Sequence, residues 1–490
     1  MVGLRWGTAV AAIVTIIATG LLSPERRPTA LAAPTVASTN RPNVVVVMTD
    51  DQRLDDLAQM PLTRKLLGKG GAKFDDYVVS FPLCCPSRAT YLTGRYAHNH
   101  GVRSNEPTDS GGYQAFVEQG NQQHTIAIWL QEAGYRTGSI GRYLNFYGLT
   151  DPTEVPPGWD TWIAPPSESA HLMFDYTLNE NGALVDYGDA ASDYETDVLA
   201  RRSAAFIRDA GAADQAFFLS VTTLAPHDEN DELVRSPYDG PRPAPRDRHA
   251  LRRLRFRPGP AYNEGQVGDK PKFVRRLRRL GPDERKIFAG SMRRRRRSLL
   301  AVDDLVGQLA RTLRKHGELD HTYFFFTSDN GFLLGEHRLH GKIAGYEESV
   351  RVPLLVRGPQ IKRGIHVNGV AGNVDLAPTI LDIAGARADR RLDGISLLDA
   401  LKRRRKLPAR SFLLENLDPS KSSIPRYRGI RTAKFSYLEH ANGAVELYDL
   451  RADPSQLHNL ADHKPKRPLQ RRLHHRLGRL QSCDGRSCRR

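Results

Sequence analysis

Residues Asn43 to Met48 read Asn-Val-Val-Val-Val-Met, a nearly unbroken β-branched run with none of the polar alternation of a strand that has one wet face. Such a run fits a strand buried on both faces of a sheet, and that sheet must then be covered on both sides. The run stops in Thr49-Asp50-Asp51, and the same grammar recurs three times. Arg136 to Ile140 ends in Gly141-Arg142, Phe217 to Thr222 leads to Ala225-Pro226-His227, and Tyr323 to Thr327 ends in Ser328-Asp329-Asn330-Gly331. Helical stretches lie between them: Leu299, Val302, Val306, Leu309 and Leu313 share one face, and Gly317 stops that helix. Alternating strands and helices predict an α/β fold with a mainly parallel sheet and helices on both faces. Ligands of such sheets bind beyond the carboxyl ends of the strands, so these four polar termini are expected to converge on one cleft.

The 490 residues suffice for one large core with a smaller satellite domain, or for two ordinary domains. The formal net charge of +17, carried mostly by Arg, favours anionic partners such as polysulfated glycans, nucleic acid or acidic lipid. An Arg-rich composition that marks no site reads equally well. There is no nucleic-acid-binding fingerprint, so charge alone does not make this a nucleic-acid binder. At the N-terminus, Arg5 precedes an apolar run from Thr8 to Leu22, and Ala30-Leu31-Ala32 offers small residues at signal-peptidase spacing. The run falls short of the roughly twenty residues of a membrane span, so export is expected, with an uncleaved N-terminal anchor as the alternative. Arg26-Arg27 follow the apolar run rather than lead it, which points to general export and not the twin-arginine route.

Of the four cysteines, Cys483 and Cys488 flank a turn-prone Asp484-Gly485-Arg486-Ser487 spacer and are expected to form a local disulfide. Asp228 to Arg297 is rich in Pro, Gly and Arg and reads as a long insertion at the rim of the site. Its five final arginines, Arg293 to Arg297, read as a solvated helix start. After the basic run Lys402 to Lys406, a strand at Phe435 to Leu438, a hairpin signal at Asn442-Gly443 and a basic helix from about Pro468 to Leu480 predict a small α+β domain. The expected organisation is a signal peptide and linker over 1–40, a catalytic domain over 41–400 and the small domain over 401–490.

Asp50-Asp51 at the end of a buried strand is electrostatically costly: two carboxylates repel, and each costs several kcal/mol to desolvate unpaired. A hard divalent cation resolves both problems, and oxygen-only ligands suit Ca²⁺ or, less well, Mg²⁺. An Asp-Asp turn or helix cap is the plainer reading of that pair alone. Asp329-Asn330-Gly331 adds oxygen donors but is by itself an ordinary β-turn signature. No His or Cys cluster suggests zinc.

Cys84-Cys85-Pro86-Ser87-Arg88, followed by Leu92-Thr93-Gly94-Arg95, matches every fixed position of C-x-P-S-R-x-x-x-L-T-G-R, and here the chain resembles the type I sulfatases. The resemblance runs from Arg41 to about Asp462. It takes in Ala225-Pro226-His227, Gly335-Glu336-His337, Gly341-Lys342 with Arg351-Val352-Pro353, and Tyr448-Asp449-Leu450 with Asn459-Leu460. It implies an alkaline-phosphatase-like α/β core, a small C-terminal domain, one Ca²⁺, and oxidation of Cys84 to Cα-formylglycine by a separate formylglycine-generating enzyme. In such a site Asp50, Asp51, Asp329 and Asn330 hold the metal together with the matured Cys84, and the aldehyde hydrate attacks sulfur. Arg88 fixes that hydrate, while His227 and Lys342 bind sulfate or protonate the leaving alcohol.

One departure stands out. Where many members carry G-K-x-H, and those resembling the N-acetylglucosamine-6-sulfatases carry G-K-Y-L-N, this chain reads Gly141-Arg142-Tyr143-Leu144-Asn145. Arg142 keeps the charge with a wider planar fork, and Leu144 stands where the first group has its histidine. The expected activity is sulfate ester hydrolysis on a sulfated carbohydrate or aryl sulfate. The alternatives are a phosphate mono- or diester hydrolase on the same scaffold and a catalytically decayed glycan-binding protein.

Overall fold

The structure is a computed structural model that describes residues 41–229, 240–403, 406–418 and 423–489. The signal segment, Arg26-Arg27 and part of the Lys402 to Lys406 run lie outside the described residues. In chain order the strands are β1 (Asn43–Thr49), β2 (Ala72–Val78), β3 (Arg136–Gly141), β4 (Thr161–Ala164), β5 (Tyr176–Glu180), β6 (Ala183–Tyr187), β7 (Phe217–Thr222) and β8 (Thr322–Ser328). After them come the short pair β9 (Leu333–Leu334) and β10 (His340–Gly341), then β11 (Leu354–Arg357) and β12 (Ile365–Gly372). The main sheet runs β12-β2-β11-β8-β1-β7-β3-β4-β5-β6. From β8 through β4 it is parallel, with β11 antiparallel between β8 and β2, and β5 and β6 antiparallel at the far edge.

The β-branched run sits where its composition demands, between β8 and β7 at the sheet centre. Val44, Val46 and Met48 enter one apolar core with the helices Ile126–Glu132 and Leu376–Ala384. Val45 and Val47 enter the other, with the helices Glu195–Ala212 and Pro282–Lys315. Each such side chain contributes about 1.5–3 kcal/mol on burial. That central position lets polar groups crowd the strand end without unfolding it.

Register then aligns the four termini. Thr49 lies opposite Ser328, Met48 opposite Thr222, and Gly141 also opposite Thr222. Asp50, Arg142, the Thr223-to-His227 turn and Asp329 therefore leave the sheet along one edge.

The C-terminal part forms an antiparallel sheet of β13 (Phe412–Asn416), β14 (Tyr427–Arg431), β15 (Phe435–His440) and β16 (Val445–Asp449). The helix Arg467–Leu480 lays Leu473, Leu477 and Leu480 on it, in one apolar cluster with Tyr437 and Leu447. Val78, Val350 and Val370 of the larger part join the same cluster. Cys483 and Cys488 form the expected disulfide.

One expectation is corrected. Arg293 to Arg297 are not a solvated helix start, because the helix begins at Pro282 and these residues lie within it. Arg295 is completely buried, and Arg296 nearly so, pairing with Asp55 and Asp56. The run of charge hid a face that packs against the site.

Gly141 shows how tightly the edge is built. Its φ is +105°, and a Cβ there would stand 2.0 Å from the Thr222 carbonyl oxygen. Only glycine fits. Gly141→Ala is therefore expected to lower the apparent Tm and to displace Arg142, whose N–H donates to that same carbonyl at 2.9 Å. A melting curve and a turnover assay on the variant check this, and unchanged values in both contradict it.

Candidate active site

Cys84 opens the helix Cys84–Thr93, every residue of which is buried. Arg88 lies one turn further on the same face, so the two side chains meet the strand ends together. Asp51 takes φ +66°, a left-handed conformation that Asp tolerates better than most residues, and this turns both carboxyls toward the helix.

The carboxylates are held by a shell of cations. Asp50 Oδ2 accepts from Arg88 Nη2 at 2.7 Å and also from Arg142 Nη1. Arg88 Nε donates to Asp329 Oδ2 at 2.9 Å, and its Nη1 donates to the Tyr143 carbonyl at 2.7 Å. Lys342 Nζ donates to Asp51 Oδ1 at 2.6 Å and to Cys84 Sγ at 2.8 Å. Cys84 Sγ itself stands 3.4 Å from Asp50 Oδ1. Burial alone would raise the Asp50 carboxyl, but Arg142 and Arg88 hold it well below the usual carboxylate range. Burial likewise opposes Asp51, which Lys342 and His227 keep low. Asp329 is pushed up to about 6 by burial and by its neighbour Asp50. Burial and the Asp50 charge push the Cys84 thiol far up, leaving an unmodified sulfur protonated.

These donors fit a hard cation. Asn330 Oδ1 is buried and has no hydrogen-bond partner, an acceptor left over beside three carboxylates. His227 Nδ1 donates to the Asp228 carbonyl at 2.6 Å, so Nε2 keeps a lone pair, and it faces Asp51 Oδ2 at 3.6 Å. Two acceptors facing each other call for a proton or a cation between them. One donor atom each from Asp50, Asp51, Cys84 and His227 lie within 4.8 Å of one another. Asp329 stands just outside that group, tied in through Arg88 and through the Asp51 N–H at 3.2 Å.

All nine residues singled out in the sequence thus meet in one place. Arg88, expected to fix the hydrate, has its donors on Asp50, Asp329 and the Tyr143 carbonyl and bridges two carboxylates. Leu144 is buried in the apolar core. Two residues escaped the sequence reading. Arg295 donates to the Asp51 carbonyl at 2.7 Å and to Asp228 Oδ1 at 3.2 Å, and it stacks 4.2 Å from the Phe332 ring centroid. His171 accepts from Arg142 Nη2 at 2.9 Å, and its ring lies 5.0 Å from that of His227. The Arg295 signal was helical spacing from Leu299, which places Arg295 on the apolar face. No local pattern marks His171.

The sequence matches the family described as Sulfatase over residues 42–386, and the family described as N-sulphoglucosamine sulphohydrolase, C-terminal, over residues 335–483. The chain belongs to the sulfatase family and is a sulfatase with the alkaline-phosphatase-like fold. It is 34% identical to the N-acetylglucosamine-6-sulfatase of Homo sapiens, over 92% of this chain and 87% of the relative. It is 32% identical to the arylsulfatase of Chlamydomonas reinhardtii, over 92% of this chain and 76% of the relative. A solved protein in complex with its substrate D-glucosamine-2-N,6-O-disulfate superposes with a TM-score of 0.76 at 26% identity, covering 90% of this chain and 97% of that one.

Arg142 is where the chain leaves the family pattern, and its guanidinium lies at the site, 3% exposed. Arg142→Ala is expected to lower kcat and kcat/KM together by on the order of 10²–10³-fold, because the charge acts mainly in the transition state. Arg142→Lys should retain substantial activity. Kinetics on one sulfate ester check both variants, and near-wild-type turnover by Arg142→Ala removes this residue from the site.

Proposed function

We propose that this sulfatase is exported and cleaves sulfate esters of a sulfated carbohydrate, using a Cα-formylglycine made from Cys84 and one Ca²⁺. The observation that carries the reading is the position of Cys84, at 3.4 Å from Asp50, with Lys342 on its sulfur and Arg142 across the same carboxylate. Asp50, Asp51, Asp329 and Asn330 would hold the cation. When bound, the cation polarises sulfate oxygens, and the formylglycine hydrate supplies an oxygen nucleophile that can be regenerated after sulfate leaves.

The remaining work falls to the chain's own side chains. Lys342 and His227 lie beside the Cys84 sulfur and Arg142 lies across Asp50 from it, and together they would oppose negative charge that builds on the sulfate oxygens. His227 has its Nδ1 proton committed to the Asp228 carbonyl, so Nε2 is the atom that takes up a proton and hands it to the departing alcohol. Arg88 and Arg295 touch carboxylates and backbone and keep the constellation fixed. A sulfated glucosamine is the favoured substrate class, in line with what the human relative and the solved complex act on. The remaining features of this reading are a signal peptide and linker over 1–40, a catalytic domain over 41–400, a small domain over 401–490, and a maturation enzyme as the obligatory partner. The Cys483–Cys488 disulfide accords with an oxidising destination.

Exhaustive chelation should abolish turnover of a sulfate ester, and Ca²⁺ should restore it better than Mg²⁺. A matched phosphate ester should turn over more slowly. Full activity with no metal by elemental analysis overturns the cation, and faster phosphate ester turnover overturns the substrate class.

A further inference from the structure

The mechanism above leaves the half-buried imidazole of His171 unused. His171 follows the short turn Ser167–Ser169, far in sequence from every motif, yet its imidazole reaches the active site. A guanidinium only donates hydrogen bonds, so the 2.9 Å contact from Arg142 Nη2 fixes His171 Nε2 as an acceptor with its lone pair toward Arg142. Burial, helped by the Arg142 charge, keeps the ring in its neutral form.

Arg142 needs such a partner. Its side chain is 3% exposed, and while Nη1 is taken by Asp50, an unpaired Nη2 would cost about 1–3 kcal/mol. The identity of the acceptor matters more than its presence. A carboxylate in the place of His171 would satisfy the donor but put a second negative charge on a guanidinium already paired with Asp50, and oppose an anionic substrate. A neutral imidazole satisfies the same donor and leaves Asp50 as the one carboxylate hydrogen-bonded to the guanidinium. A buried carboxyl that feels Arg142 does exist: Glu195, whose oxygens are occupied by the Leu224 N–H at 3.1 Å and the Thr196 hydroxyl at 2.9 Å. Orientation is also set. With Nη1 on Asp50 and Nη2 on His171, two bonds to different elements define the plane of the fork.

We propose that His171 is a positioning residue that orients the Arg142 guanidinium toward the sulfate group without adding a second negative partner to the one it has in Asp50. The inference rests on the sulfatase reading of the site and deepens it: this chain carries its fork-shaped cation and the imidazole that steers it on separate segments, Arg142 after β3 and His171 on the loop after β4.

Three variants of the matured, Ca²⁺-loaded protein test this, with melting curves to confirm folding. His171→Leu should lower kcat/KM for a sulfate ester by about tenfold or more, as loss of an orienting partner typically does. His171→Gln places an amide oxygen near the Nε2 position and should stay within about threefold of wild type. His171→Glu keeps an acceptor but adds a charge, and should fall below His171→Leu. In an Arg142→Ala background, His171→Leu should cost nothing further, since residues that act as a unit are not additive. Affinity for inorganic sulfate, by titration calorimetry on the same proteins, should follow the order wild type, Gln, Leu, Glu. That measurement reads the Arg142 charge without any turnover, so a wild type that fails to cleave sulfate esters would defeat the functional reading and still leave this inference tested. Wild-type kcat/KM and sulfate affinity in His171→Leu overturn the proposal. So does an equal loss with and without Arg142, or a His171→Glu that outperforms His171→Leu.

Discussion

Everything at this site follows from two carboxylates placed side by side at the end of a fully buried strand. Asp50 and Asp51 are no more than 1% exposed, and leaving such a pair uncompensated would cost several kcal/mol per charge. The fold answers with four cations from four segments: Arg88 from a helix, Arg142 from the end of β3, Lys342 from a loop, and Arg295 from the long helix behind. Each comes from a different part of the chain, so the charge balance itself ties the folded architecture to the chemistry.

This arrangement also gives the small C-terminal sheet a purpose at the site. Lys342 precedes Ile343, a β-branched residue at φ +80°, where such residues are rarely found. The strain is held in place from both sides: the Ile343 N–H donates to the Pro82 carbonyl at 3.0 Å, and its carbonyl accepts from the Tyr427 hydroxyl at 2.7 Å. Tyr346 donates to Glu446 at 2.8 Å, and Arg431 pairs with Glu347 at 2.8 Å. Side chains from β14 and β16 thus clamp the loop that delivers the lysine.

Much of this was legible in the sequence because it is local. The β-branched run marked β1, and the residues after each apolar stretch marked the edge where Asp50, Arg142, His227 and Asp329 meet. The Cys84-to-Arg95 segment carried its meaning in fixed spacing. What escaped depends on contacts distant in sequence. Arg295 looked like one of five solvated arginines because composition masks the helical phase that buries it. His171 sits in a turn with no periodicity at all, and only the folding of that turn against β5 brings it to Arg142. The immediate job of Arg88, bracing Asp50 and Asp329, likewise appears only when two strand ends are seen together.

The account stands on the fate of one sulfur atom. Burial and the Asp50 charge hold the Cys84 thiol well above its ordinary value, which disfavours a thiolate nucleophile and accords with the proposed conversion of Cys84. Mass spectrometry of the peptide spanning Cys84, on preparations made with and without a formylglycine-generating enzyme, reads this directly. The account predicts that the Cys84 peptide loses the mass difference between cysteine and formylglycine, that Cys85 is unchanged, and that sulfate ester turnover rises in proportion to the converted fraction. A fully active preparation in which Cys84 is wholly unmodified would contradict it.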